Sequence, residues 1–222
     1  VDHIFDGGYM TPKLVIFDCD GVLVETESIT DQVLSAYFTQ RGAPIPPEEV
    51  HNLFAGGTMM GAGQDAIARG AVLPDDWLQD ISNCVNAALA TGVTVFDGLF
   101  DLLDALDTRG VQTAIASNGP MSKMQTSLGP SGLWDRFAGR IYSGRITAPK
   151  PAPDMLLAAC AQAGVTVGEA VMIDDTPTGI GAADAAGMRA IGFAAASSAA
   201  KLAATGHPVT LTMAEIRVLL AV

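Results

Sequence analysis

The sequence predicts an α/β fold built on a parallel sheet, interrupted by one long all-helical segment. Three observations predict it. Short, continuous apolar runs recur along the chain, and several end at polar, turn-forming residues. Stretches of helical period separate them. Between the first run and the first of those helices, roughly 65 residues carry helical patterns and no convincing strand, an insert long enough to be functional.

The first run, Leu14-Val15-Ile16-Phe17, ends at Asp18 and reads as a central, buried strand. Val111 to Ala116 is a second and ends at Ser117-Asn118-Gly119. Arg140 to Tyr142 is a weaker third. Ala170 to Ile173 is the fourth and ends at Asp174-Asp175, and Met188 to Gly192 is the last. Leu99, Leu102, Leu103 and Leu106 share one helical face, and Met155, Leu156, Ala159 and Cys160 share another. Thr176 to Ala186 is helix-compatible despite Gly179 and Gly181. Within the insert, Ile29, Val33, Leu34, Tyr37 and Phe38 form a stripe. Val50 to Phe54, Thr58 to Arg69 and Pro74 to Ala90 continue the helical pattern. The domains expected are an α/β core of residues 10–24 and 93–222, a helical domain of residues 25–92, and a leader or tag at 1–9, which matches nothing that follows.

Composition bounds the function. The 222 residues are 49% apolar, enough to bury a sizeable core, and 24 acids against 12 bases give a formal charge of −12. Such a field repels polyanions, which argues against a nucleic-acid groove or an anionic-membrane patch. The longest charge-free stretch, the 16 residues from Ile81 to Phe96, contains Ser82, Asn83 and Asn86 and is too short to span a bilayer. No secretory pattern opens the chain, and Cys19, Cys84 and Cys160 cannot all pair. A reduced, cytoplasmic setting is the expectation.

The chemistry lies at strand ends. In open α/β sheets the ligand crevice lies outside the carboxyl ends of the strands, so Asp18, Ser117 and Asp174-Asp175 are delivered to one spot. Asp18-Cys19-Asp20-Gly21 is either a polar cap after a strand or a pair of working carboxylates. Asp174 or Asp175 either caps the helix that follows or joins the first pair. Four converging acids repel one another, and a hard divalent cation such as Mg2+ resolves that repulsion. Ser117-Asn118-Gly119 reads as an ordinary turn or as a phosphate cradle of hydroxyl and backbone N–H groups. Lys150, one of four lysines, is flanked by Pro149 and Pro151 and is either a solvated loop residue or a positioned cation for a phosphate.

Taken together, these segments resemble the motifs of the haloacid dehalogenase superfamily, in order. Leu14 to Glu27 resembles its first motif, Ile115 to Asn118 its second, Lys150-Pro151 its third and Met172 to Met188 its fourth, and the likeness covers Met10 to the C-terminus. The helical insert resembles the cap of the phosphoglycolate phosphatase and β-phosphoglucomutase branch. Ser117 to Gln125, with Ser143-Gly144, resembles the group that includes 6-phosphogluconate phosphatase. The sequence departs from the pattern at Glu25, where Asp is usual, and at Asp174-Asp175-Thr176, where Glu-Asp-Ser is commoner.

The resemblance implies a Rossmann-like parallel sheet with helices on both faces plus an all-helical cap domain. It implies Asp18 as nucleophile, forming an aspartyl-phosphate, and Asp20 as general acid and then base. Ser117, Asn118 and Lys150 are implied as phosphate-binding residues. The implied Mg2+ ligands are the Asp18 carboxylate, the Asp20 backbone carbonyl and Asp175, with Asp174 direct or through water. The implied partner is a small phosphorylated metabolite, a sugar phosphate or sugar-acid phosphate, with no nucleic acid and no membrane, on a monomer or homodimer. The cap is expected to close over the substrate on hinges near Val24 to Thr26 and Gly92 to Gly98. Gly56-Gly57-Thr58-Met59-Met60-Gly61 lacks the basic residues many relatives use there, so the leaving group stays open.

Rival readings weigh differently. Dehalogenases lack an acid two residues after the nucleophile, so Asp20 argues against that activity. A phosphonatase needs a cap lysine, and residues 25–92 contain none. A β-phosphoglucomutase-type phosphomutase shares every core group, but the cap offers only Arg41, Arg69 and His51. A catalytically silent phosphate-binding regulatory module is the alternative from another class.

Overall fold

The computed structural model describes residues 11–54, 59–194 and 199–222, with the side chains of 51–54 left aside. Expectations on residues 1–9, on Gly56, Gly57 and Thr58, and on the His51 side chain therefore lie outside the described residues. In chain order the elements are β1 (Leu14–Phe17), β2 (Val24–Glu25), α1 (Glu27–Thr39), α2 (Pro47–Phe54), α3 (Met59–Ala68), α4 (Trp77–Ala90), β3 (Thr94–Val95), α5 (Leu99–Thr108), β4 (Gln112–Ser117), α6 (Met121–Leu128), α7 (Leu133–Arg136), β5 (Ile141–Ser143), α8 (Asp154–Ala163), β6 (Ala170–Asp174), α9 (Pro177–Ala186), β7 (Arg189–Phe193), α10 (Ala199–Ala203), β8 (Val209–Thr210) and α11 (Met213–Leu220). They fall into two compact units. One takes the chain up to Leu23, Phe96–Pro120 and Phe137–Val222, and the other takes Val24–Val95 and Met121–Arg136.

The first unit is the α/β fold expected. Its six-stranded sheet runs β5-β4-β1-β6-β7-β8, with every neighbouring pair parallel. Strand β1 is buried along its whole length, as its unbroken apolar run requires, and Phe17 lies in register with Ile115 and Ile173 on its two sides. Alternate residues divide between two faces. Leu14, Ile16, Ala114, Ala116, Ala170 and Met172 share a core with α8 and α9. On the other face Phe17 meets Phe137 edge to face, ring centroids 6.2 Å apart, and α5 packs on β4. Leu99, Leu102, Leu103 and Leu106 of α5 are all fully buried, each contributing about 1.5–3 kcal/mol of hydrophobic stabilisation. Strand β8 has only two residues and shows no period, so the sequence does not reveal it.

The second unit is built mainly of helices. Leu34, Tyr37, Phe38, Ile45, Val50, Ala62, Ala66 and Ile81 are among its core residues, while Ile29 and Val33 of the expected stripe are only half-buried. Trp77 seats against bare backbone at Gly63, where a Cβ would stand 2.1 Å from the indole. Glu25 accepts the Ser28 backbone N–H at 2.9 Å, and also its hydroxyl, which ties down the start of α1. Two features differ from the sequence reading. A two-residue antiparallel ribbon pairs Val24 with Val95 and Glu25 with Thr94, too short to show alternation. Met121–Arg136, assigned to the core by position, belongs to the helical unit because α6 packs on α4. Among the described residues, no helix is long and apolar enough to cross a membrane.

Candidate active site

Four adjacent strands bring the expected residues to one edge of the sheet. Asp18 follows β1, Ser117 closes β4 and Asp174 closes β6. Lys150 lies on the segment that follows β5. All are on the α/β unit. The backbone makes Asp18 an extension of the sheet, since its N–H donates to Ile173 O at 2.9 Å. Its side chain is held separately, by the Lys150 ammonium.

Lys150 is the centre of the site. Its ammonium donates to Asp18 Oδ1 at 2.6 Å, to Asp174 Oδ2 at 2.7 Å and to Ala116 O at 3.0 Å, so its three hydrogens all have acceptors. Its side chain is 4% exposed, and those of Asp18 and Asp174 are 10% and 0% exposed. The acids that the sequence brings together are therefore partly neutralised by one buried cation. A phosphoryl oxygen approaching Lys150 would share or displace one of these acceptors.

One ammonium serves two carboxylates, and that imbalance sets the electrostatics. Burial pushes the Asp18 carboxyl up to about 7. Lys150 pulls it back, and Asp174 and Asp20 add to the rise. Burial alone would lower Lys150, but Asp174 and Asp18 together overcome it and hold the ammonium above its ordinary value. The group that shares its partner is raised, and the group that has two partners stays charged.

Asp174 is held from both sides. Its Oδ2 takes the Lys150 bond, and its Oδ1 accepts the Thr176 N–H at 2.9 Å and hydroxyl at 2.7 Å. The cap of α9 is neither aspartate but Thr176, whose hydroxyl accepts the Gly179 N–H at 3.1 Å. Gly179 is a site residue the sequence reading missed. A Cβ there would lie 1.8 Å from Asp174 Oδ2, so the carboxylate rests on the bare backbone of the helix. A glycine in the first turn of an otherwise helical pattern is the signal that could have found it.

Asp175 is placed by a second glycine. Gly21 has a φ of +80°, and a Cβ on it would stand 2.2 Å from Asp175 Oδ2. The Asp18–Gly21 turn and the β6–α9 turn thus close on each other around a carboxylate. Asp18, Asp174 and Asp175 each offer one carboxylate oxygen within 4.8 Å of the others. An oxygen-only donor set of this kind, in a cradle that a Cβ would fill, fits a hard divalent cation. The Asp20 carboxylate is not part of that trio, and Asp20 itself is half-buried.

The second strand end is braced by the third. The Ser117 hydroxyl accepts the Gly119 N–H at 3.1 Å, the Gly144 N–H donates to Ser117 O at 2.9 Å, and the Ser143 hydroxyl donates to Gly119 O at 2.6 Å. Ser143 is a second residue whose part was not legible, because its partner lies 24 positions away. The Asn118 side chain pairs with the backbone of Lys150, at 2.7 Å and 3.0 Å. Cys19 is fully buried beside Asp18.

Known proteins share this arrangement of chain. A family model described as haloacid dehalogenase-like hydrolase matches residues 12–187. The 6-phosphogluconate phosphatase of Escherichia coli is 29% identical over 82% of this chain and 83% of its own. A phosphoglycolate phosphatase of Xanthomonas campestris is 30% identical over 81% and 82%. Among solved structures, a haloacid dehalogenase-like protein of unknown function from Agrobacterium tumefaciens is 34% identical with a TM-score of 0.83, covering 94% of this chain and 97% of that one. A haloacid dehalogenase family hydrolase from Deinococcus radiodurans, solved with bound phosphate and sodium, is 32% identical with a TM-score of 0.82 over 95% and 96%. With four strands converging on Lys150 and its carboxylates, and with a family model spanning most of its length, this chain belongs to the haloacid dehalogenase-like hydrolase family.

Proposed function

We propose that this chain is a Mg2+-dependent phosphatase that hydrolyses a small phosphorylated metabolite, a sugar phosphate or sugar-acid phosphate, through an aspartyl-phosphate on Asp18. The observation that carries the reading is the buried Lys150–Asp18 contact of 2.6 Å at the end of the central strand. It fixes one carboxylate in a direction, beside a permanent positive charge that a phosphoryl group needs. Mg2+ would be held by the Asp18 carboxylate, the Asp20 backbone carbonyl and Asp175, with Asp174 direct or through water, and it would supply charge neutralisation.

In this reading Asp18 attacks phosphorus in line while Asp20 protonates the departing alkoxide. The phosphoryl group then sits on Asp18 as an acyl phosphate, the alcohol having left. Asp20, now ionised, takes a proton from the water that attacks phosphorus and releases phosphate. Ser117, the Asn118 backbone N–H and Lys150 orient the phosphoryl oxygens, since phosphoryl transfer depends on positioning and charge above all. The cytoplasm is the compartment proposed. Sugar-acid phosphates are favoured because the names of two relatives, 6-phosphogluconate phosphatase and phosphoglycolate phosphatase, each specify a phosphorylated acid.

The experiment is p-nitrophenyl phosphate hydrolysis with Mg2+, with EDTA, and with Asp18→Asn and Asp20→Asn proteins. The expected outcome is turnover with Mg2+, none with EDTA, and none from Asp18→Asn. Asp20→Asn should be slowed by about 10²–10⁴-fold. Full activity of Asp18→Asn would remove the nucleophile and with it the reading.

A further inference from the structure

Lys150 reaches its two carboxylates from a loop, and loops are where catalytic geometry is most easily lost. Its ammonium must lie within hydrogen-bond reach of Asp18 and Asp174 together. Something has to hold the main chain from which that side chain starts.

The Asn118 carboxamide does so with both of its ends. Its Oδ1 accepts the Lys150 backbone N–H at 2.7 Å, and its Nδ2 donates to the Lys150 carbonyl at 3.0 Å. The orientation of the amide is fixed by chemistry, because a backbone N–H can only donate and a carbonyl can only accept. The two bonds bind one residue at both its polar groups, across 32 positions of sequence. Gly144 leaves room for this. A Cβ at Gly144 would lie 2.8 Å from Asn118 Oδ1 and 3.0 Å from the Pro149 Cα, wedged between the amide and the chain it holds.

We infer that the Asn118 side chain is a positioning residue that acts through Lys150, a two-point clamp on its backbone with Gly144 as its seat. The inference rests on the proposed phosphatase reading for its kinetic consequences, but its structural content is independent of it. Asn118→Ala keeps the backbone N–H proposed to meet phosphate and removes the clamp alone, and Gly144→Ala disturbs the clamp from the other side without removing a polar group.

The test is a double-mutant cycle on Asn118→Ala and Lys150→Met. The readouts are kcat and KM for p-nitrophenyl phosphate and the inhibition constant of orthophosphate. A clamp that acts through Lys150 gives Asn118→Ala a loss of about 10–100-fold in kcat, the scale of a small misplacement of a catalytic group. In the Lys150→Met background the same change then costs less than about twofold, because nothing remains to be positioned. Gly144→Ala reproduces the Asn118→Ala loss. A full Asn118→Ala loss in the Lys150→Met background overturns the inference and assigns the carboxamide to phosphate itself. Wild-type kinetics in Asn118→Ala also overturn it. If the wild-type protein proves inactive, a crystal structure of Asn118→Ala decides. The clamp predicts that Lys150 Nζ leaves its bridge between Asp18 and Asp174, and an undisturbed bridge contradicts it.

Discussion

Each unit of this molecule holds a cation against aspartate, and the two arrangements do different work. In the α/β unit Lys150 lies between Asp18 and Asp174 with almost no exposure. In the helical unit Arg41 stacks over the Tyr37 ring, 3.4 Å from its centroid, and reaches Asp80 at 3.1 Å, while Tyr37 donates to Asp80 at 2.9 Å. The Arg41 and Asp80 side chains are 23% and 46% exposed. Burial, followed by the bond to Asp80, pushes the Tyr37 hydroxyl up to about 12, so it stays a donor. Water screens the helical-unit cluster, so it adds a little stability and carries little potential. The buried cluster is costly to desolvate and is shielded from solvent, and for that reason it can hold a carboxylate in one direction, as the proposed nucleophile requires. Burial, more than the residue types, separates the screened fastening from the cluster proposed as the reaction centre.

The largest expected break is Lys150→Met. It leaves two carboxylates buried without their cation, which costs about 3–5 kcal/mol in EDTA by chemical denaturation. Turnover should fall by about 10³-fold or more. Mg2+ should recover more stability in this protein than in the wild type, because it meets more uncompensated charge, and an equal Mg2+ response would argue against the shared acidic site.

Gly179→Ala comes next. In an ordinary exposed helix interior this change stabilises by about 1 kcal/mol. Here the added methyl would meet the Asp174 carboxylate, which its bonds to Lys150 and Thr176 prevent from yielding. Loss of stability, together with a fall in activity of about 10²-fold, is expected. A stabilised, active protein would show that Asp174 is free to move.

A smaller effect sharpens the electrostatic side. The folded-state pKa of Asp18, about 7, lies above its ordinary value of 3.8, so the protonated form favours folding. That contribution is complete below the ordinary value and is lost as pH rises through about 7. In EDTA the wild-type melting temperature should therefore fall between about pH 5 and about pH 8, and Asp18→Asn should remove most of the fall. Equal slopes for the two proteins would place the pH dependence elsewhere. The smallest effect belongs to the helical unit. Arg41→Met should cost no more than about 1 kcal/mol and leave kcat for p-nitrophenyl phosphate within about twofold.

The sequence made the reactive edge legible because strand ends are visible in it. A continuous apolar run that stops at Asp18, Ser117 or Asp174 announces both the strand and the group it presents. The buried α5 leucines were legible because period is a local property, whereas the sequence offers an aspartate as the cap of α9 and the cap is Thr176. What escaped was what depends on pairing across the chain. The sequence offers Lys150 as a phosphate ligand, but its bond to Asp18 spans 132 positions and its bond to Asp174 spans 24. Gly179 reads as a tolerated helix glycine until the carboxylate that rests on it is located. Strands β2, β3 and β8 have two residues each, too few for alternation to register. The hold of Asn118 on Lys150 belongs to the same class, since a Ser-Asn-Gly turn looks the same whether or not its amide has a distant partner.

The central claim is that Asp18 is transiently phosphorylated. Acid-quenching the wild-type protein during turnover of p-nitrophenyl phosphate with Mg2+, reducing with borohydride and sequencing peptides by mass spectrometry tests it directly, since an acyl phosphate is reduced to an alcohol. The account predicts homoserine at position 18, absent when substrate or Mg2+ is withheld. Intact aspartate at position 18, in protein quenched while phosphate is still being released, would contradict it.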